Sequence, residues 1–106
     1  ALYPLPYHLY EANIKLADSV YSRTNPRGGF ALYDKRDYIR IMQGDPNSKH
    51  ESQRKDYVII RSNGQILGRN GMEIKSGQDG FKKAADHPDA HIPVEEWIDW
   101  KDWNIK

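Results

Sequence analysis

The segment DYVIIRSNGQILGRNGMEIK, residues 56–75, decides the fold because it contains β-rich runs separated by two Asn-Gly pairs. An Asn-Gly pair between alternating apolar residues is the strongest short signal for a tight hairpin turn. Asn63-Gly64 predicts one such turn and Asn70-Gly71 a second. The segment therefore predicts a three-stranded antiparallel meander, with strands at about 56–62, 65–69 and 72–75.

The preceding segment FALYDKRDYIRIMQ, residues 30–43, predicts one more strand. Tyr38, Arg40 and Met42 alternate there with two isoleucines, and successive side chains of a strand point to opposite faces. We expect one face of this strand to be polar or open. The polar loop GDPNSKHESQRK follows, and its length favours a functional role.

Helices are predicted at both ends of the chain. Between Tyr7 and Tyr21 apolar residues recur at helical spacing, and Pro26 with Gly28-Gly29 ends that helix. In HIPVEEWIDW, Pro93 suits the first position of a short last helix. Trp97, Trp100 and Trp103 are spaced to dock one aromatic edge on the body. The predicted fold class is α+β, with the N-terminal helix packed on an antiparallel β-sheet and a short C-terminal helix.

Composition narrows the function classes. The 106 residues suffice for a single domain, no apolar run approaches the roughly 18 residues of a membrane span, and cysteine is absent. Disulfides and thiolate metal sites are thereby excluded. The net charge of +1 is unevenly distributed. Residues 22–69 carry ten Lys/Arg against five Asp/Glu, whereas residues 70–106 carry five against eight. The basic middle would suit a nucleic-acid partner, or is an ordinary solvated surface.

Two patterns in the sequence resemble metal sites, but neither favours one. His87 and His91 in DHPDAHIP are four apart, but Pro88 interrupts the helix that would align them. Glu73-Ile-Lys75 is typical of magnesium nucleases and would need Asp56 as its partner, but such a tripeptide arises often by chance. The sequence therefore predicts no metal and no cofactor.

Metal-free RNA cleavage requires a base for the 2′-hydroxyl, an acid for the leaving oxygen and cations for the phosphate. Four residues are predicted to be catalytic: His91, His50, Arg40 and Tyr57. Three more are predicted to bind RNA phosphates: Arg54, Lys55 and Arg61. We expect His87 to be an exposed loop residue, and we expect a helix N-terminus beside His91 to lower its pKa.

Three segments carry a resemblance to a known family. IRIMQGDPN resembles a family segment of the form R-I-M-P-G-x-P, with Gln43 in place of the proline. DYVIIRSNGQILGRNG resembles the family hairpin, and SGQDGFKKAADHPDAHIPVEEW its loop ending in H-I-P, with FKKAAD as an insertion. The family is the C-terminal toxin domains of bacterial polymorphic toxins, of the contact-dependent growth-inhibition and Rhs types. RSNGQILG resembles, more loosely, the hairpin of the ribosomal-RNA-cleaving colicins.

The resemblance implies a ribonuclease fold of the barnase, EndoU, colicin and RelE kind, and it points at Arg40, His50 and His91. It also implies a cognate immunity protein as partner. We therefore expect residues 1–106 to be one monomeric toxin domain, cut from a larger secreted effector. It would cleave tRNA or rRNA in the target-cell cytoplasm. The alternatives are a Mg²⁺-dependent DNase toxin using Asp56, Glu73 and Lys75, and a non-catalytic module that binds RNA or protein.

Overall fold

The computed structural model describes residues 21–24, 29–34, 36–42 and 44–106. In this part of the chain, seven strands form one antiparallel sheet. They are β1 (Tyr21–Thr24), β2 (Gly29–Asp34), β3 (Asp37–Met42), β4 (Tyr57–Ser62), β5 (Gln65–Leu67), β6 (Glu73–Ile74) and β7 (Ile92–Pro93). β1 to β6 follow one another in order across the sheet, and β7 pairs with β4. One helix, α1 (Val94–Trp97), follows β7.

The predicted meander is confirmed as β4, β5 and β6. Its first turn has the predicted chemistry, because Asn63 and Gly64 have φ angles of 54° and 81°. A two-residue type I′ turn needs both central residues in this left-handed region, where Asn and Gly are tolerated best. The local sequence thus fixes the register of β4 against β5.

The second turn forms a hairpin as predicted, but its geometry differs. Only Gly71 of the pair is left-handed, with φ 80°. The Gly71 N–H donates to the Gly68 carbonyl at 2.9 Å, and the Asn70 side chain accepts the Met72 N–H at 2.9 Å. Residues 68–72 therefore make a longer turn, and β5 and β6 are shorter than predicted.

β3 and β4 form the centre of the sheet and give it two distinct faces. Their register pairs Tyr38 with Arg61, Arg40 with Ile59 and Met42 with Tyr57. These six side chains define the arginine face. The opposite face, which we call the indole face, carries the remaining buried side chains of the two strands: Ile39, Ile41, Val58 and Ile60.

The indole face is covered by the C-terminal segment. Trp97, Trp100 and Trp103 are at most 4% exposed, which confirms that they dock on the body. The Trp97 indole N–H also donates to the Trp103 carbonyl at 2.9 Å. Pro93, predicted as the first helical residue, instead belongs to β7 and precedes α1, because its backbone pairs with Tyr57.

The arginine face is less open than predicted, because Tyr38 and Met42 are each only 7% exposed. They pack in a second cluster with Tyr57 and Ile59. Half-buried Arg40 therefore lies among apolar side chains. The prediction of a polar or open face was therefore wrong for Tyr38 and Met42, the two residues on either side of Arg40 on this face.

The N-terminal half departs most from prediction. Residues 7–20 of the predicted helix lie outside the described residues, and Tyr21, its predicted end, begins β1. The segment predicted as one strand is a hairpin of β2 and β3. Pairing with β2 accounts for the strand conformation of Tyr21, the one residue of the predicted helix that the structure describes. The antiparallel sheet and the short C-terminal helix are confirmed. No helix within the described residues is long and apolar enough to cross a membrane.

Candidate functional site

His91 is placed by the pairing of β7 with β4. Ile92 lies opposite Val58 and is fully buried on the indole face. His91 lies just before β7, and its side chain is directed to the arginine face, where Tyr57 lies. Its ring meets Tyr57 edge-on there, with ring centroids 4.8 Å apart and an interplanar angle of 61°.

The hydrogen bond of His91 determines which ring nitrogen carries the proton. Nδ1 lies 2.9 Å from the His87 carbonyl oxygen. A carbonyl only accepts, so Nδ1–H is the donor, and in the neutral ring Nε2 is left with a free lone pair. No hydrogen bond from Nε2 to another described residue is present. His91 therefore presents the basic nitrogen of a fixed tautomer.

Burial lowers the pKa of His91 below the usual 6.5 of histidine, because the charged ring would lose its hydration. Hydrogen bonding to the backbone of His87 and Pro88 and the charge of Asp86 raise the pKa by less, and His50 adds a smaller lowering effect. The predicted lowering of the His91 pKa is confirmed, but its cause is burial and not the helix N-terminus that was predicted. α1 has only four residues and starts three positions later, whereas His91 itself is 5% exposed.

A cleft of about 560 Å³, which we call the His91 cleft, brings His91 together with Tyr57, Arg54 and Lys55. The Arg54 Nε–H donates to the Ser48 carbonyl at 3.0 Å. The Lys55 ammonium lies 3.8 Å from the Glu95 carboxylate, and both side chains are largely exposed. An exposed pair of this kind is weak, so Lys55 can exchange its partner for a phosphate at little cost.

His50 lies in an adjoining pocket of about 650 Å³, which we call the His50 pocket. Tyr57 lines both spaces. The loop of residues 44–56 that carries His50 is closed at its base, where the Gly44 N–H donates to the Asp56 carboxylate at 2.7 Å. A Cβ at Gly44 would stand 2.4 Å from the Lys55 carbonyl carbon, so the loop can close there only on a glycine.

Arg40 and Arg61 share the arginine face with Tyr57, as the register requires, but neither lines the two clefts. The Arg40 Nε is buried and has no hydrogen-bond partner among the described residues, and its guanidinium carbon is 5.8 Å from the Tyr38 ring centroid. The Arg61 guanidinium stacks at 4.4 Å on the same ring, and its Nε–H donates to the Arg36 carbonyl at 3.0 Å. Arg61 is four residues along β4 from Tyr57, or about 13 Å.

His87 is not the exposed loop residue that the sequence predicted. It is 5% exposed, and its Nε2 lies 2.7 Å from the Asp79 carboxylate. Its Nδ1 accepts the Asp89 N–H at 3.0 Å and caps the 3₁₀ turn Pro88–Ala90. Both ring nitrogens are thus engaged, and the described residues contain no group of three or more His, Asp or Glu suited to a metal ion.

The residues of the alternative magnesium site are not brought together. Asp56 precedes β4 at its Tyr57 end and accepts the Gly44 N–H. Glu73 lies opposite Leu67, two strands away and near the other end of β4. A separation of about 13 Å along the strand, in addition to the step across the sheet, excludes a shared ion.

Sequence reasoning missed Arg69, which also lines the His91 cleft. Its Nε–H donates to the Glu96 carboxylate at 3.2 Å, and a second, shorter contact makes the pair bidentate. No local pattern indicates this pair, because the residues are 27 positions apart. Asp79 was also missed, although its position between Gly77 and Gly80 is typical of a left-handed turn.

Three comparisons, with protein-family models, with curated proteins and with solved structures, find no match to this chain.

Proposed function

We propose that this chain is a metal-independent endoribonuclease in which His91 is the general base. The observation that carries the proposal is the fixed imidazole of His91. Its Nδ1–H is held by the His87 carbonyl, its pKa is lowered by burial, and it lines a cleft with Tyr57 and the cationic side chains of Arg54, Lys55 and Arg69. The cleft carries three cationic side chains among five carboxylates. A neutral imidazole of known tautomer beside such cations suits proton abstraction next to a phosphate.

The proposed reaction is an internal transfer at phosphorus. His91 Nε2 takes the proton from the ribose 2′-hydroxyl, and the 2′-oxygen forms a bond to phosphorus as the bond to the 5′-oxygen breaks. His50 acts as the general acid and gives a proton to that leaving oxygen. The products are a 2′,3′-cyclic phosphate and a 5′-hydroxyl, so atoms and charge balance without a metal.

The proposed roles of the four arginine and lysine side chains follow from where they lie. Arg54 and Lys55 line the His91 cleft and would bind the phosphate under attack, where they stabilise the growing negative charge. Tyr57 lies between the two histidines and would orient the ribose. Arg40 and Arg61 lie farther along the arginine face, both towards the Ser62 end of β4, and would bind phosphates on that one side of the cleaved bond.

The biological setting is proposed from the resemblance of IRIMQGDPN, of the hairpin and of the H-I-P segment to polymorphic toxin domains. In that setting the domain is delivered by a secreted effector and cleaves tRNA or rRNA in the target-cell cytoplasm. A cognate immunity protein would neutralise it in the producer by blocking the cleft.

The test is cleavage of total bacterial RNA by the 106-residue chain in excess EDTA, with analysis of the product ends. We expect 2′,3′-cyclic phosphate ends, and no cleavage of an oligonucleotide that lacks 2′-hydroxyls. Loss of cleavage in EDTA, or 3′-hydroxyl ends, would contradict the mechanism. RNA binding with no turnover would instead support a non-catalytic module.

A further inference from the structure

The turn that contains Asp79 is strained and points towards the segment that carries His91. Asp79 has φ 53° and ψ 27°, a left-handed conformation that is unfavourable for most non-glycine residues. The flanking Gly77 and Gly80 have φ angles of 83° and 85°. The Gly77 N–H donates to the Phe81 carbonyl at 2.8 Å and closes the turn. Two glycines and one strained aspartate fix the direction of this carboxylate.

The carboxylate of Asp79 meets the ring of His87, eight residues later, at 2.7 Å. His87 Nδ1 accepts the Asp89 N–H, so that nitrogen carries no proton and Nε2–H donates to Asp79. The Phe81 ring covers the His87 ring, with centroids 5.1 Å apart. The His87 ring is thus held in one tautomer and one orientation.

His87 is in turn the residue that holds His91. Its carbonyl oxygen accepts the His91 Nδ1–H at 2.9 Å, and its ring caps the turn Pro88–Ala90 that leads into His91. A rotation of residue 87 would move this carbonyl and the start of the turn together. The contacts therefore run from Asp79 through the His87 ring and the His87 backbone to His91 Nδ1.

We propose that Asp79 and His87 are positioning residues that keep the His91 imidazole in a single tautomer, with the proton on Nδ1 and the lone pair of Nε2 directed at the substrate. The effect on rate rests on the proposed function, whereas the effect on the tautomer does not. The side chain of Asp79 is 69% exposed, so its bond to His87 contributes little to global stability. The role of Asp79 is therefore local: it acts on His91, the proposed general base.

Two substitutions at Asp79 separate this role from a structural one. Asp79→Gly removes the carboxylate and relieves the left-handed strain, because glycine adopts positive φ freely. Asp79→Asn keeps an oxygen acceptor for His87 and tolerates the same backbone conformation. Asn is therefore the matched control. Thermal unfolding of both variants checks that the fold is retained.

The deciding readout is the pair of ¹⁵N chemical shifts of the His91 ring in the full 106-residue chain above neutral pH. We expect one protonated and one unprotonated nitrogen in the wild type and in Asp79→Asn. In Asp79→Gly we expect the two shifts to move towards each other as tautomers exchange. We also expect kcat on RNA to fall about tenfold in Asp79→Gly with KM unchanged.

Unchanged His91 shifts in Asp79→Gly would overturn the positioning role, whatever the activity. An inactive wild type would contradict the proposed function, but the shifts would still decide whether Asp79 and His87 set the tautomer. The two failures are therefore distinguishable.

Discussion

Two segments of the molecule each bring a histidine to Tyr57, and they do so in opposite ways. Residues 44–56 form a loop whose 3₁₀ turn contains no buried residue, and His50 is exposed. In residues 87–93, His91 is 5% exposed, and its neighbour Ile92 is fully buried. The second segment therefore fixes an imidazole, whereas the first leaves one accessible. A fixed imidazole suits the base, and an accessible one suits the acid that must reach a leaving oxygen.

The largest expected effect is the loss of activity in His91→Ala. We expect kcat/KM on RNA to fall about 1,000-fold, because the base is lost, and His50→Ala to cost about 10- to 100-fold. The measurement is initial rate on a defined oligoribonucleotide in EDTA. Lys101→Ala, an exposed change outside the two clefts, is the control. Equal losses of activity in His91→Ala and His50→Ala would contradict the different roles proposed for the two histidines.

The next effect is on stability. Ile92→Ala should lower the free energy of unfolding by about 2–5 kcal/mol, because it leaves a cavity beneath the strand that directs His91. Asn47→Ala in the exposed loop should change it by less than about 0.5 kcal/mol. Urea unfolding of the two variants measures both. If Ile92→Ala lowered the free energy of unfolding as little as Asn47→Ala, residues 87–93 would not be the more rigid of the two segments.

The lowered pKa of His91 makes stability depend on pH. The unfolded chain has a histidine pKa of about 6.5, and the folded value lies below it. Between the two values the unfolded state binds more protons. The contribution of His91 is therefore fully present above pH 6.5 and is lost as pH falls towards the folded pKa. His91→Gln should lose less stability than the wild type on acidification in thermal unfolding. Parallel curves would contradict burial as the cause.

The smallest effect concerns Lys55. Lys55→Ala should leave stability almost unchanged, because its pair with Glu95 is exposed. It should weaken RNA binding at low salt and reduce the slope of log affinity against log salt by about one. Lys101→Ala serves again as the charge-matched control. If the slope of log affinity against log salt were unchanged in Lys55→Ala, Lys55 would not contact an RNA phosphate.

The sequence predicted what local chemistry determines. Asn63-Gly64 was enough to place the first turn and the register of β4 against β5, and the spacing of the tryptophans was enough to predict their docking. These features depend on residues within a few positions of each other.

The remaining features depend on pairs far apart in the chain. His91 is buried because Ile92 pairs with Val58, and no local pattern reveals a partner 34 positions away. His87 is buried through its hydrogen bond to Asp79, and that bond depends on a left-handed turn that the sequence analysis did not predict. Arg69 joins the cleft through Glu96. The candidate chemistry was thus predictable as residue types, whereas its geometry was not.

The most direct test of His91 as the base is the pH dependence of kcat/KM in EDTA, for the wild type and for His91→Ala. We expect a wild-type acidic limb with its midpoint below 6.5, because the buried imidazole must be neutral to accept the 2′-hydroxyl proton. That limb should be absent from the residual activity of His91→Ala. An acidic limb that persists unchanged in His91→Ala would show that another group is the base.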